Sequence, residues 1–562
     1  MDTQRLILFM LFTFSVFFLV DAWQKDKQPP RQMTLAPASV NGPAATPVPT
    51  PTQALPAAPA VAPPPVGGEL EKGETVRVET DIFVAEIDTA GGDLRHLELL
   101  AHRDTLDMKK NFTLLEQQPN RTYIAQAGLI GNGMPNHRTR YTAVSRDVKL
   151  AAGAAAVAVR LTAVTADGVK VVKIYNFHRD SYVIDVGFEI ENKSAAAIQP
   201  DAYFQLVRDG TPPVGDSAML PTYTGFAVYT DKDKFQKVTF ADVDKDKTSY
   251  PKKSGDGWIA ILQHYFLSAW LPANNLPREF YTKRLDGGLY AAGVILPVGR
   301  IESGASSALT VPLYAGPQEQ DNLSKLAPGL ELTIDYGWLT IIAKPLFWFL
   351  KWLHQWVGNW GVAIILLTVT IKAMFYPLSA ASYRSMARMR VMAPRLQKLK
   401  EQYGDDRQRM NQAMMELYKT EKINPLGGCL PVVVQIPVFI ALYWVLLASV
   451  ELRHVPFMLG IDDLSTAAIS SATSGYVLAP FVYFLLPVLM GATMIFQTYL
   501  NPEPPDPVQA KIMKIMPIAF SVMFFFFPAG LVLYWLINNV LSIAQQWQIT
   551  HAMEHAKPAH GK

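Results

Sequence analysis

The sequence predicts a multi-span α-helical membrane protein of six spans, with a large all-β domain inserted after the first. Three observations carry that prediction. Half of the 562 residues are hydrophobic and only 18% are charged, below the level typical of soluble domains. Apolar runs long enough to cross a bilayer stand at the N-terminus and throughout the C-terminal third. Between them lies a long region of short alternating runs broken by Gly, Asp and Asn. The net charge of +3 is too small to argue for nucleic acid, so no nucleic-acid sequence recognition is expected. Cys429 is the only cysteine, which excludes a disulfide within the chain.

Residues 1–22 form an apolar segment, Leu6 to Val20, behind the single cation Arg5. The run is long for a secretory signal and reads as a signal-anchor span, although Val20-Asp21-Ala22 also fits a cleavage site; both readings export the region after it. Residues 23–68 are mostly Pro, Ala, Thr and Gln, with twelve prolines between Pro29 and Pro65. Such a stretch buries too little apolar surface to fold and serves as an extended tether.

Residues 69–333 show period-2 runs such as Thr75-Val76-Arg77-Val78-Glu79 and Tyr182-Val183-Ile184-Asp185-Val186. They predict an antiparallel β-sandwich. A sandwich of this size can host a sugar site, but His96, His102, His137, His178 and His264 are scattered without metal-type spacing. Residues 334–359 place Trp348, Trp352 and Trp356 at i, i+4, i+8, with Lys344, Lys351 and Gln355 on the adjoining strip. That is the pattern of an amphipathic helix lying in the membrane interface.

The second span is expected at 360–377 and the third to sixth within 426–549. The loop 378–425 carries Arg384, Arg388, Arg390, Arg395, Lys398, Lys400, Arg407, Arg409, Lys419 and Lys422, whereas Ser449–Gly475 carries only Arg453. By the distribution of Lys and Arg, the first loop is cytoplasmic, the β domain lies outside, and both termini are cytoplasmic. Met392, Leu396, Leu399 and Tyr403, then Met410, Met414 and Leu417, recur at helical spacing around Gly404-Asp405-Asp406. They predict a helical hairpin with Met386, Met389, Arg390, Met410 and Met414 as candidate contact residues; methionines suit both core packing and varied apolar partners. Residues 550–562 are a weakly basic tail.

Lys372 lies at bilayer depth, where a cation costs about 2.5–3.5 kcal/mol on insertion scales. None of the five C-terminal spans contains an acidic residue. Lys372 therefore either snorkels to the nearby cytoplasmic face or stands in a hydrated cavity. Thr368 is one turn earlier on its face, and other spans offer Gln435, Gln497, Tyr534, Trp535, Asn538 and Asn539. Polar groups on several helices fit a hydrophilic groove. Pro431, Pro437, Pro487 and Pro517 fall within the expected spans and predict bent helices.

The runs Tyr376-Pro377-Leu378-Ser379, Asn424-Pro425-Leu426-Gly427-Gly428-Cys429, Gln435-Ile436-Pro437-Val438-Phe439 and Phe527-Pro528-Ala529-Gly530-Leu531 resemble the YidC membrane protein insertases of Gram-negative bacteria. The resemblance implies a β-supersandwich in the periplasm and an inner-membrane bundle that inserts, folds and assembles membrane proteins, alone or with the Sec translocon. It implies a groove, open to cytoplasm and lipid, whose single cation attracts the hydrophilic part of a substrate. It assigns that role to Lys372, where the family commonly has arginine; lysine keeps the charge but lacks the planar fork. The implied partners are nascent membrane proteins, the Sec translocon, membrane lipids and, through the weak tail, the ribosome. No enzymatic activity, cofactor or metal is expected. The alternatives are a solute transporter, which would want acidic intramembrane couplers, and a membrane-anchored periplasmic carbohydrate-binding protein.

Overall fold

Alternating burial builds the β region from its first strand: in Thr75–Glu79, Val76 and Val78 point inward while Thr75 and Arg77 point out. A computed structural model describes residues 72–105, 107–213, 222–403, 406–421, 430–467, 479–501 and 507–555. The expected anchor, tether and tail end, and the Gly404-Asp405 and Asn424–Cys429 motifs, lie outside these residues. The chain divides into two units between Ile334 and Asp335.

In the β unit, one sheet has ten strands. From edge to edge they are Lys253–Ser254, Arg278–Arg284, Leu289–Pro297, Asp201–Asp209, Arg121–Ile130, Asn111–Gln118, Asp93–Arg103, Phe83–Asp88, Thr75–Glu79 and Asp147–Lys149. The other sheet has nine strands. They run Lys234–Val238, Thr224–Thr230, Trp258–Gln263, Phe266–Trp270, Ser306–Pro317, Val183–Asn192, Val169–His178, Ala156–Val164 and Thr142–Ala143. The sheets meet through aromatic side chains: Phe204 packs on Phe188 and Trp270 with ring centroids 5.9 and 5.2 Å apart, and Phe83 meets Phe177 at 6.4 Å. The predicted β-sheet-rich domain is present, with one departure from antiparallel order. Asp147–Lys149 pairs parallel to Thr75–Glu79 as an edge strand. Two short helices complete the unit: α1 (Phe240–Asp244), closed by a Thr239/Asp242 capping box, and α2 (Gln320–Leu326).

The second unit is helical. Helix α3 (Thr340–Val357) buries Ala343, Phe347, Leu350 and Leu353 along one side and leaves Trp348, Trp352 and Trp356 exposed along another. It ends at Gly358, whose left-handed φ of 66° lets its N–H close on the His354 carbonyl. Asn359 then caps α4 (Trp360–Met374) by accepting from the Val362 N–H. The chain breaks at Phe375 and α5 (Tyr376–Tyr403) leaves at a bend of 65°. Here the structure differs from the expected second span: Tyr376 and Pro377 open the next helix. A proline in a first helical turn removes no helical hydrogen bond. Asp406 caps α6 (Arg407–Thr420) through the N–H groups of Gln408 and Arg409, and Arg395 on α5 pairs with Glu421 at 2.8 Å.

Helices α7 (Leu430–Ala448), α8 (Ala479–Leu500), α9 (Pro507–Phe524) and α10 (Ala529–His555) complete the unit. Pro437, Pro487 and Pro517 lie inside helices, but Pro431 is in the first turn of α7 and bends nothing. Among the described residues, Phe481–Leu500 is one apolar helix long enough to cross a membrane, and the bent pair Trp360–Met374 with Tyr376–Met392 is a second candidate. Length and apolarity alone do not reproduce six spans. Helices α9 and α10 carry lysines or polar residues along much of their length.

Candidate functional site

Helix α10 supplies the frame of the site. Tyr534, Asn538, Ser542 and Gln545 recur at i, i+4, i+8, i+11 and so share a face, and each is almost fully buried. Burying this much polarity is tolerable only if the groups are hydrogen-bonded, and they are. The Lys372 ammonium of α4 donates to the Ser542 hydroxyl at 2.7 Å, and that hydroxyl donates to the Asn538 carbonyl one turn back at 2.7 Å. The Asn538 side-chain oxygen accepts from the Gln435 amide of α7, which also reaches the Tyr534 hydroxyl at 3.4 Å. Gln545 donates to the Tyr376 carbonyl at 3.3 Å, at the bend between α4 and α5. A polar line thus connects α4, α7 and α10, ending at the only charge among these groups.

The site residues expected from sequence divide accordingly. Lys372, Gln435, Tyr534 and Asn538 come together in this line. Thr368 is fully buried and spends its hydroxyl on the Ile364 carbonyl of its own helix at 2.7 Å. Gln497 is half-buried on α8, one turn beyond Thr493, which accepts from Asn539 at 3.3 Å. Trp535 belongs to an aromatic cluster, edge-on to Phe439 at 4.5 Å and tilted against Phe524 at 5.5 Å. Its indole nitrogen is buried without a hydrogen-bond partner among the described residues. Asn539 and Gln546 form a second polar row facing α8, where Gln546 reaches the Leu500 carbonyl and Asn501.

Ser542, Gln545 and Gln546 were not among the expected groove residues. Their signal was the extension of the Tyr534–Asn538 spacing by further helical steps, hidden because small hydroxyls and amides hardly change the apolar character of a window. No carboxylate pairs with Lys372 among the described residues. In the hairpin, Met386 is turned inward against Ala380, Tyr383 and Ile549 of α10. Met389, Met410 and Met414 are half-buried and Arg390 is exposed.

A family model described as the YidC periplasmic domain matches residues 75–349, and one described as the 60Kd inner membrane protein matches 352–557. The membrane protein insertase YidC of Nitrosospira multiformis is 56% identical over 99% of this chain and 98% of its own length. That of Methylobacillus flagellatus is also 56% identical, with the same coverage of each chain. A crystal structure of an active YidC insertase with its first transmembrane domain resolved aligns over 84% of this chain and 94% of its own, at 20% identity and a TM-score of 0.39. Fold and site define a helical-bundle membrane protein with an internal polar line, joined to a large β domain. The chain belongs to the YidC family of membrane protein insertases. Neither the transporter nor the carbohydrate-binding alternative is supported.

Proposed function

We propose that this insertase works through a hydrophilic groove in which Lys372 meets the polar, often acidic, leading part of a nascent membrane protein while the apolar part moves into lipid. The observation that supports this reading most directly is the Lys372 ammonium, half-buried on a line of hydrogen-bonded neutral groups with no carboxylate among the described residues to cancel it. A charge held without a counter-charge attracts an anion from a substrate more strongly than an exposed one does, because the surrounding dielectric is lower. Around this groove the reading sets six spans, both termini in the cytoplasm, the β domain in the periplasm and the α5–α6 hairpin as the cytoplasmic reception surface. The bundle lies in the bacterial inner membrane, acts alone or beside the Sec translocon, and receives chains from the ribosome. Its exposed α3 tryptophans rest at the lipid headgroups.

The test is replacement of Lys372 by Ala and by Glu in a strain depleted of its own insertase, at matched protein level. Insertion of a single-span substrate with an acidic translocated segment should fall at least tenfold, more for Glu. Unchanged insertion would overturn the groove role.

A further inference from the structure

A lysine two residues from the end of its helix has every reason to wander. Its stem is flexible, its ordering costs about 2 kcal/mol of rotamer freedom, and water lies close by. Yet its ammonium points into the bundle, and among the described residues its hydrogen bond there goes to Ser542. That hydroxyl is well placed to hold it. Ser542 is 4% exposed. A serine oxygen carries one proton and two lone pairs. The proton goes to the Asn538 carbonyl, so the lone pairs are directed at donors. One receives Lys372. Ser542 thus ties the cation of α4 to the backbone of α10.

We propose that Ser542 is the positioning residue for the groove cation. It holds the Lys372 ammonium inside the bundle through a neutral acceptor, fixing the charge in space without cancelling it. This rests on the groove reading above. The neutrality of the acceptor matters. An ammonium has three protons; one is spent on Ser542, and the others stay free for a substrate carboxylate. An aspartate at the same place would hold the lysine as well and extinguish its charge. A bare alanine would leave the charge intact but free to swing to the cytoplasmic mouth, where water screens it.

The experiment compares the full-length parent, S542A, S542T, S542D, K372A and S542A/K372A in the depletion strain. Two single-span substrates are followed, identical but for an acidic or an uncharged translocated segment. S542A should lower insertion of the acidic substrate roughly tenfold, the scale of one lost charge-assisted hydrogen bond, and leave the uncharged one unchanged. S542T should restore it, since threonine keeps the hydroxyl. S542D should lose it despite holding the lysine. S542A should add nothing once Lys372 is alanine, because both changes remove one interaction. If K372A inserts both substrates normally, the groove reading itself fails. If K372A is impaired but S542A matches the parent, this proposal alone is overturned. If S542A impairs both substrates equally, adds to K372A and is not rescued by threonine, Ser542 is a packing residue and the proposal is likewise overturned.

Discussion

Lys173 and Asp93 face each other across 3.8 Å in the interior of the β unit, and neither side chain reaches solvent. The ammonium donates to the carbonyls of Ala127 and Gly91 at 2.8 and 3.1 Å. One carboxylate oxygen accepts from Gln126 at 2.8 Å, which accepts in turn from Gln205 at 2.7 Å; the other has no hydrogen bond among the described residues. Burial pushes Asp93 up to about 6, against the attraction of Lys173 and Arg95. Burial likewise brings Lys173 down to about 8. Desolvation outweighs attraction on both sides.

This gives a pH signature. The native state favours protonated Asp93, a contribution lost as pH rises through about 6. It favours neutral Lys173, a contribution lost as pH falls through about 8. Both losses are present between those values. Removing one partner, as in K173M, should cost about 3–5 kcal/mol, while the D93L/K173M pair should be neutral or stabilising. The advantage of the double variant over the parent should be widest from pH 6 to 8 and shrink on either side. Thermal unfolding of the full chain in detergent across pH reads this; a gap independent of pH would refute the assignment.

Asp463 organises the segment between α7 and α8. Its carboxylate accepts from the N–H groups of His454 and Ser465 at 3.1 and 2.7 Å, and from the Ser465 and Thr466 hydroxyls at 2.7 Å. The same segment accepts from the Ala529 and Gly530 N–H groups at the start of α10. D463A should therefore cost about 2–4 kcal/mol and open 449–467 to limited proteolysis. Parent-like melting and cleavage would count against this role.

Gly361 lets the start of α4 pass that segment closely. A β-carbon there would stand 2.0 Å from a ring carbon of Phe457. G361A should lower the melting temperature, and F457A should relieve most of the loss when the two are combined. Additive losses would mean that the strain lies elsewhere.

Trp348, Trp352 and Trp356 are 68%, 40% and 75% exposed. With Cys429 replaced by serine, an environment-sensitive dye on a cysteine at position 348 or 356 should shift to the blue when the protein enters bilayers. The same dye at Gln355 should shift less. Equal spectra at all three sites would contradict an interfacial helix.

How much of this was legible depends on the range of the signal. Strand alternation in the β region and the tryptophan stripe of α3 are local patterns, and they were readable. The break at Phe375 was not. Tyr376-Pro377 looks like the end of a span, and only packing decides that a helix starts there. Spacing alone puts Thr368 on the face of Lys372, but a buried threonine can satisfy itself on its own backbone. Ser542 lies 170 residues from Lys372 in sequence. Which of many small hydroxyls meets a distant cation is a tertiary fact, set by how α4 crosses α10.

The polar rows of α10 bear on how such a chain comes to be made. Asn538, Asn539, Ser542, Gln545 and Gln546 are each at most 8% exposed, and their hydrogen-bonding partners lie mainly on α4, α7, α8 and the bend before α5. A helix so furnished partitions poorly into hydrocarbon alone, since its amides would arrive unpaired. Its place must be prepared by the helices synthesised before it. Helix α10 of this insertase is itself a difficult client, and the order of synthesis supplies the chaperone.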